Sequence, residues 1–251
     1  MAVSFGVDPQ RYDRARPGYP DTLITRILAG TDRPDVLDIG CGTGIAARQF
    51  QAGGATVLGI EPDARMAEFA RARGLRVEVA SFEQWQPHDR SFDAVVAAQS
   101  WHWVDPAVGA AKAAEVLRPG GRLAIFGHVY EPPEAVAEPF AAVYRRVAPD
   151  SPLNGQPARR PLSLYQAGYA KFAEQIRATG HFAEPEQWRY DWQRSYTRDQ
   201  WLELLPTTGG LTGLGPDQLA EIADVVGAAI DALGGSFTME HTTLATTATL
   251  A

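Results

Sequence analysis

An α/β fold, a parallel sheet covered by helices on both faces, is the architecture that this sequence predicts. Short apolar and β-branched runs alternate with helical stretches through the first half of the chain, and that alternation feeds a parallel sheet. The run ending at Ile39 carries an acid, Asp38, and passes into three glycines at every second position, Gly40, Gly42 and Gly44. A second apolar run, Thr56 to Ile60, ends in another acid, Glu61, 17 residues past Gly44. That is about where a βαβ unit sets a carboxylate against a ribose diol.

Asp21 to Leu28 reads as a short helix ahead of the first strand, Asp35 to Ile39. Glycine has no Cβ and accepts positive φ, so the chain turns sharply after this strand and brings backbone N–H groups against a ligand. The helix Thr43 to Gln51 and the strand Thr56 to Ile60 follow. Pro62 and Asp63 start a helix over Ala64 to Arg73, which Gly74 stops. The third strand is Arg76 to Ala80, and the fourth, Phe92 to Ala98, comes after a turn over Pro87 to Ser91. Asp105-Pro106 caps a helix reaching Leu117, Pro119-Gly120-Gly121 breaks it, and Arg122 to Val129 is the fifth strand.

Prolines at 132, 133, 139, 149, 152, 157 and 161 then punctuate helical stretches such as Glu134 to Val147, the pattern of an insertion rather than sheet. A helix from Tyr165 to Thr179, a polar strand from Gln187 to Tyr196, and helices over Arg198 to Leu205 and Pro216 to Leu233 come next. The chain closes on an alternating, threonine-rich strand, Met239 to Leu250. No internal repeat is visible.

With 251 residues, 45% of them apolar, the chain buries a full core and exceeds one ordinary domain only modestly. One domain with an inserted lid is the economical organisation. A net charge of −7 and a pI near 5.3 argue against a nucleic-acid or anionic-membrane partner, which calls for clustered Lys and Arg. The close basic pairs are Arg145-Arg146 and Arg159-Arg160. Cys41, the sole cysteine, allows no intramolecular disulfide or Cys-based zinc site and sits inside the glycine turn as a small packed residue. The start, Met1 to Asp8, lacks a basic region followed by an apolar core, and no uncharged run reaches 18 apolar residues; a soluble cytoplasmic protein is expected. Beyond pairs such as His102 with Asp105, no His, Asp and Glu group has metal-ligand spacing, and the sequence is silent on oligomeric state.

Dinucleotides and S-adenosylmethionine both use a turn of this kind. The dinucleotide fingerprint G-x-G-x-x-G places Ile45 where its third glycine belongs. Asp38 beside the turn repels a pyrophosphate and suits an ammonium group. The acid-x-G-x-G-x-G segment closely resembles motif I of the class I S-adenosylmethionine-dependent methyltransferases. The order of elements is also similar to their Rossmann-like, seven-stranded sheet, whose last strand runs antiparallel to the others. The likeness covers about Pro34 to Val129, with a helical insertion after strand five. It divides the single domain into an N-terminal lid and helix (1–33), a cofactor-binding core (34–129) and helical cap elements (130–183 and 198–235). A nicotinamide-dependent oxidoreductase shares the first βαβ unit, but no Tyr-x-x-x-Lys pair accompanies it here. A non-catalytic cofactor-binding protein stays open.

The resemblance implies S-adenosyl-L-methionine as cofactor, S-adenosyl-L-homocysteine as product and a small-molecule acceptor. Asp38, Gly40, Cys41, Gly42, Gly44, Glu61 and Gln99 would face the cofactor. Ser81 and Phe82 fall where family members hold adenine; Pro62 and Met66 offer apolar surface to its other face, although Met at helical spacing is also core-forming. Gln99-Ser100-Trp101-His102-Trp103-Val104-Asp105 resembles the WHW-x-D stretch of the small-molecule methyltransferases related to the trans-aconitate type, which lies beside the methyl donor and substrate. Trp101 and Trp103 are thus pocket candidates, and His102 is either a base for a hydroxyl or a loop cap. The segment Tyr12 to Pro20 resembles a Y-x-x-x-R-P-x-Y-P lid: Arg16 is suited to the methionine carboxylate, with Tyr12 or Tyr19 closing the pocket. From position, His128, Tyr165, Trp201 and the loop Thr207 to Gly210 are candidates for the acceptor side. Oxygen is the expected acceptor atom, because His102 is available as a base and the Asn/Asp-Pro-Pro-Tyr motif of N-methyltransferases is missing.

Overall fold

The computed structural model describes residues 2–151, 154 and 161–251; Arg159-Arg160 lies outside them. Among the described residues, seven strands form one sheet: β1 (Asp35–Ile39), β2 (Thr56–Ile60), β3 (Arg76–Glu78), β4 (Phe92–Ala98), β5 (Leu117–Glu131), β6 (Glu186–Thr197) and β7 (Ser236–Thr249). Their order is β3-β2-β1-β4-β5-β7-β6. β1 to β5 pair in parallel, and β7 is antiparallel to both its neighbours. The expected Rossmann-like class I sheet is the one observed.

The helices are α1 (Pro9–Ala15), α2 (Asp21–Leu28), α3 (Ile45–Ala52), α4 (Ala64–Ala72), α5 (Pro106–Val116), α6 (Glu134–Val147), α7 (Leu162–Ala178), α8 (Arg198–Leu204) and α9 (Pro216–Asp231). Successive residues of a strand point to opposite faces, and β1 shows the result. Val36 packs with Ala46, Ala47 and Phe50 of α3, whereas Leu37 and Ile39 pack with Ala110 and Ala113 of α5. A third core forms in the cap, where Val136 and Tyr144 of α6 meet Trp201 and Leu204 of α8 and Ile222 and Val226 of α9.

Three local expectations change. β3 ends at Glu78, and the chain leaves the sheet with Val79 exposed, which frees the next residues to reach the strand ends. Pro119-Gly120-Gly121 does not separate helix from strand: β5 begins at Leu117. Its register against β4 jumps from Phe92↔Leu117 to Ala94↔Arg122. The three residues form a bulge, with Gly120 at φ +75°, a conformation glycine adopts without strain. Finally, the segment before Pro20 holds a helix, α1, whose N-cap Asp8 side chain accepts from the Arg11 N–H.

Candidate active site

A cavity of about 310 Å³ opens at the carboxyl ends of β1, β2, β3 and β4, the edge where open α/β sheets bind ligands. Its floor is the turn after β1. The N–H groups of Gly40 and Cys41 donate to the Ile60 carbonyl at 2.8 and 3.1 Å, tying the turn to β2. Gly40, Gly42 and Gly44 have φ of +65°, +56° and +87°, so all three sit where a side chain is strained. A Cβ at Gly40 would lie 2.6 Å from Ser100 Cβ, whereas one at Gly42 would meet nothing within 4 Å. Gly40 permits close packing; Gly42 leaves open space for a ligand.

Glu61 lies at the end of β2, nearly buried. Its Oε2 accepts from the Gly42 N–H at 2.8 Å and its Oε1 from the Asp63 N–H at 2.9 Å. Burial raises its pKa, and those two donors oppose the shift. Asp38 is fully buried with both carboxyl oxygens unpartnered, and burial pushes it up to about 8. It does not line the cavity; it adjoins Tyr19, Cys41 and Glu61 electrostatically. Pro62, Met66, Ser81 and Phe82 form one end of the cavity together with Ile60. Cys41 is buried and, with Tyr19, lines a smaller adjoining space of about 50 Å³. Gly44 faces neither; it caps α3.

The N-terminal segment folds over this floor. Tyr12 and Arg16 line both spaces. The Arg16 guanidinium donates to Thr207 Oγ1 at 3.0 Å, to the Thr207 carbonyl, and to the Tyr130 hydroxyl at 3.4 Å. Among the described residues it has no carboxylate partner, which is unusual for a buried charge. Tyr19 stacks on His128 with ring centroids 4.4 Å apart.

Gln99 follows β4 at φ +60°, an unusual conformation for a side-chain-bearing residue and one that recurs at functional sites. Its N–H donates to Phe126 O at 2.8 Å and its side chain to His128 O at 3.2 Å. A single helical turn over Trp101–Trp103 follows. His102 and Trp103 reach the cavity, and the protein packed around the His102 imidazole lowers its pKa although its surface stays exposed. Trp101 turns the other way, buried against Gly109 of α5. It borders a separate chamber of about 380 Å³ that also touches His102, His128 and Tyr165. Trp201 lines a further chamber under α6 and α8.

Sequence reasoning passed over Phe5, Glu83, Ser100 and Val104, which also line the cavity. Glu83 accepts from the Asp105 N–H at 2.8 Å, clamping the tryptophan loop beside Ser81. The signal for Phe5 was absent, because its role depends on how α1 folds back.

The sheet order and the cleft at its carboxyl edge define the class I methyltransferase architecture. A family model described as a methyltransferase domain matches residues 37–125. An uncharacterised methyltransferase of Mycobacterium tuberculosis is 41% identical over 128 residues, 50% of this chain and 52% of the relative. The chain thus spans about half the length of the curated relatives that head the comparison. The 27-O-demethylrifamycin SV methyltransferase of Amycolatopsis mediterranei is 33% identical over 206 residues, 76% of this chain and 69% of that one. A structure described as that of a type II methyltransferase from Anaeromyxobacter dehalogenans superposes with a TM-score of 0.63 at 26% identity, covering 93% of this chain and 97% of its own. The chain belongs to the S-adenosylmethionine-dependent methyltransferases.

Proposed function

We propose that this protein transfers the methyl group of S-adenosylmethionine to a small-molecule acceptor, at oxygen. The observation that carries the reading is the cleft itself. One carboxylate, Glu61, is fixed at its floor by two backbone N–H groups, between an apolar end and an arginine that no described carboxylate neutralises. A carboxylate has about four lone-pair sites, so Glu61 keeps capacity for a ribose diol. Pro62, Met66 and Phe82 offer apolar surface to adenine, with Ser81 as a polar contact. Arg16 has five N–H donors and directs three at Thr207 and Tyr130, leaving others for the methionine carboxylate, with Tyr12 and Tyr19 closing that end. Asp38, which burial keeps protonated near pH 7 in the free protein, lies behind the glycine turn, and a cationic ammonium beside that turn would favour its ionised form.

When bound, S-adenosylmethionine would supply a methyl group on cationic sulfur that an oxygen nucleophile can take, with S-adenosylhomocysteine as the leaving thioether. The residues of the cleft hold the acceptor in line and keep water out, so positioning supplies much of the rate. His102, with its pKa lowered, is neutral at pH 7 and takes the proton of a hydroxyl acceptor; a carboxylate acceptor needs no base. The Amycolatopsis relative, named for a 27-O-demethyl compound, supports oxygen. The acidic charge supports a small molecule over nucleic acid. No helix of the described residues is long and apolar enough to cross a membrane, in keeping with a cytoplasmic enzyme.

Isothermal titration with S-adenosylmethionine, S-adenosylhomocysteine and NAD tests this reading, with Asp38→Ala and Glu61→Ala alongside. Micromolar binding of the first two, lost in both variants, is expected. NAD binding alone overturns it, and cofactor binding without transfer of labelled methyl in a broad acceptor screen favours a non-catalytic binder.

A further inference from the structure

Beside the cofactor cleft lies a larger chamber of about 410 Å³, walled by α6, α8 and the 205–211 loop. It shares Gly209 with the cleft. It also contains Tyr130, whose hydroxyl accepts from Arg16, so the two spaces meet where the methyl donor's amino-acid end is placed. Three properties of the chamber bear on what enters it. Its walls are aromatic and aliphatic, with Phe140 and Tyr144 of α6 stacked at 5.7 Å facing Trp201 of α8. The Trp201 indole N–H is buried and has no partner. Among the described residues the lining includes no Asp or Glu, and its one charge is Arg145, which is exposed and makes no ion pair with any of them.

Each property restricts the occupant. An apolar chamber of this size takes a ring system, and aromatic walls favour a planar one. The Trp201 N–H has almost no accessible surface, so Trp201 contributes its ring as apolar wall, and the occupant's oxygen is the one that meets the methyl donor. A free guanidinium at an apolar site, with no acid to offset it, attracts an anion and repels an ammonium. We propose that the acceptor is an oxygen-bearing aromatic or polycyclic molecule, neutral or anionic, whose body occupies this chamber. The assignment rests on the methyltransferase reading and narrows it: the charge of the chamber disfavours cationic amines as acceptors.

The test uses one ring with three charges: 2-naphthoate, 2-naphthol and 2-naphthylmethylammonium, titrated into the full chain with S-adenosylhomocysteine saturating. The expected ranking is anion first, neutral second and cation last, with the cation weaker than the anion by about tenfold or more. Ala141→Trp fills the chamber and should weaken naphthoate by about tenfold, with S-adenosylhomocysteine affinity unchanged. Arg145→Ala should bring naphthoate down to naphthol. Failure of the wild type to bind S-adenosylhomocysteine sinks the methyltransferase reading and this assignment with it. If S-adenosylhomocysteine binds but the cation matches the anion, no naphthyl probe binds, or Ala141→Trp binds probe as wild type does, only the acceptor assignment falls. Should Ala141→Trp fail to fold, the charge ranking on wild type still decides.

Discussion

Burial moves the pKa of His102 down and that of Asp38 up, and both shifts have measurable consequences. With a hydroxyl acceptor, kcat/KM for the wild type should rise with pH along a limb set below the ordinary histidine range. His102→Gln should lose that limb and about 100-fold in kcat, with cofactor affinity preserved; a pH profile that keeps its shape in the variant assigns the ring to capping the loop. Asp38 acts on stability. Its pKa rises on folding from 3.8 to about 8, so the native state retains a proton that the unfolded chain has released. This contribution is complete below 3.8 and is lost as pH climbs towards 8. Asp38→Asn should match wild type near pH 4 and gain on it by up to about 1.4 kcal/mol per pH unit through that window. Urea unfolding at pH 5, 6.5 and 8 reads the difference. A constant gap would mean that the carboxyl is paired in the free protein.

At the scale of an element, the glycine turn between β1 and α3 serves packing and binding at different residues. Gly40→Ala puts a Cβ into Ser100 at 2.6 Å on a backbone at positive φ, and should destabilise the fold by about 2 kcal/mol or more. Gly42→Ala has the same backbone cost but enters open space on the ligand side, so it should lose only about 1 kcal/mol, clearly less than Gly40→Ala, while weakening S-adenosylhomocysteine at least tenfold. Equal loss of stability in both would mean the turn has a single role. This turn was legible because Asp38, the glycines and Glu61 are a local pattern with one geometric solution. The helices α2, α4, α6 and α8 were legible for a similar reason, as proline, glycine and caps mark their ends. α1 was missed because only Ala15 of its seven residues is buried, leaving no periodic apolar face; the Asp8 cap and Pro9 were its only local marks. The bulge in β5 was misread because Pro-Gly-Gly punctuates a strand and a loop alike. Trp101 and Trp103 have the same residue type two positions apart, and only the fold shows that one is core and the other lines the cavity.

At the scale of the molecule, the N-terminal segment joins the two halves. Asp13 of α1 pairs with Arg48 of α3 at 2.6 Å and with Arg73 at the end of α4 at 3.0 Å, anchoring the segment to the sheet half. Arg14 pairs with Glu203 of α8, and Arg16 bonds Thr207, reaching the cap half. The cofactor cleft is roofed by residues of the same segment, Phe5, Tyr12 and Arg16. None of these residues contributes a strand or a large core face, so the roof is held mainly by polar contacts. The Asp13 carboxylate is largely buried between two half-exposed arginines, so its loss leaves two cations unpaired at once. Asp13→Asn should therefore raise amide exchange across residues 9–16 by about tenfold or more, with β1 to β5 as protected as before. S-adenosylhomocysteine should bind more weakly by a similar factor, because the closed roof is then a smaller share of the population that the ligand selects. Adding S-adenosylhomocysteine at saturation should restore protection over 9–16 in the variant. If exchange in that segment does not move, apolar contacts such as Phe5 with Tyr12 and Trp103 hold the roof by themselves, and the ion pairs only set its register.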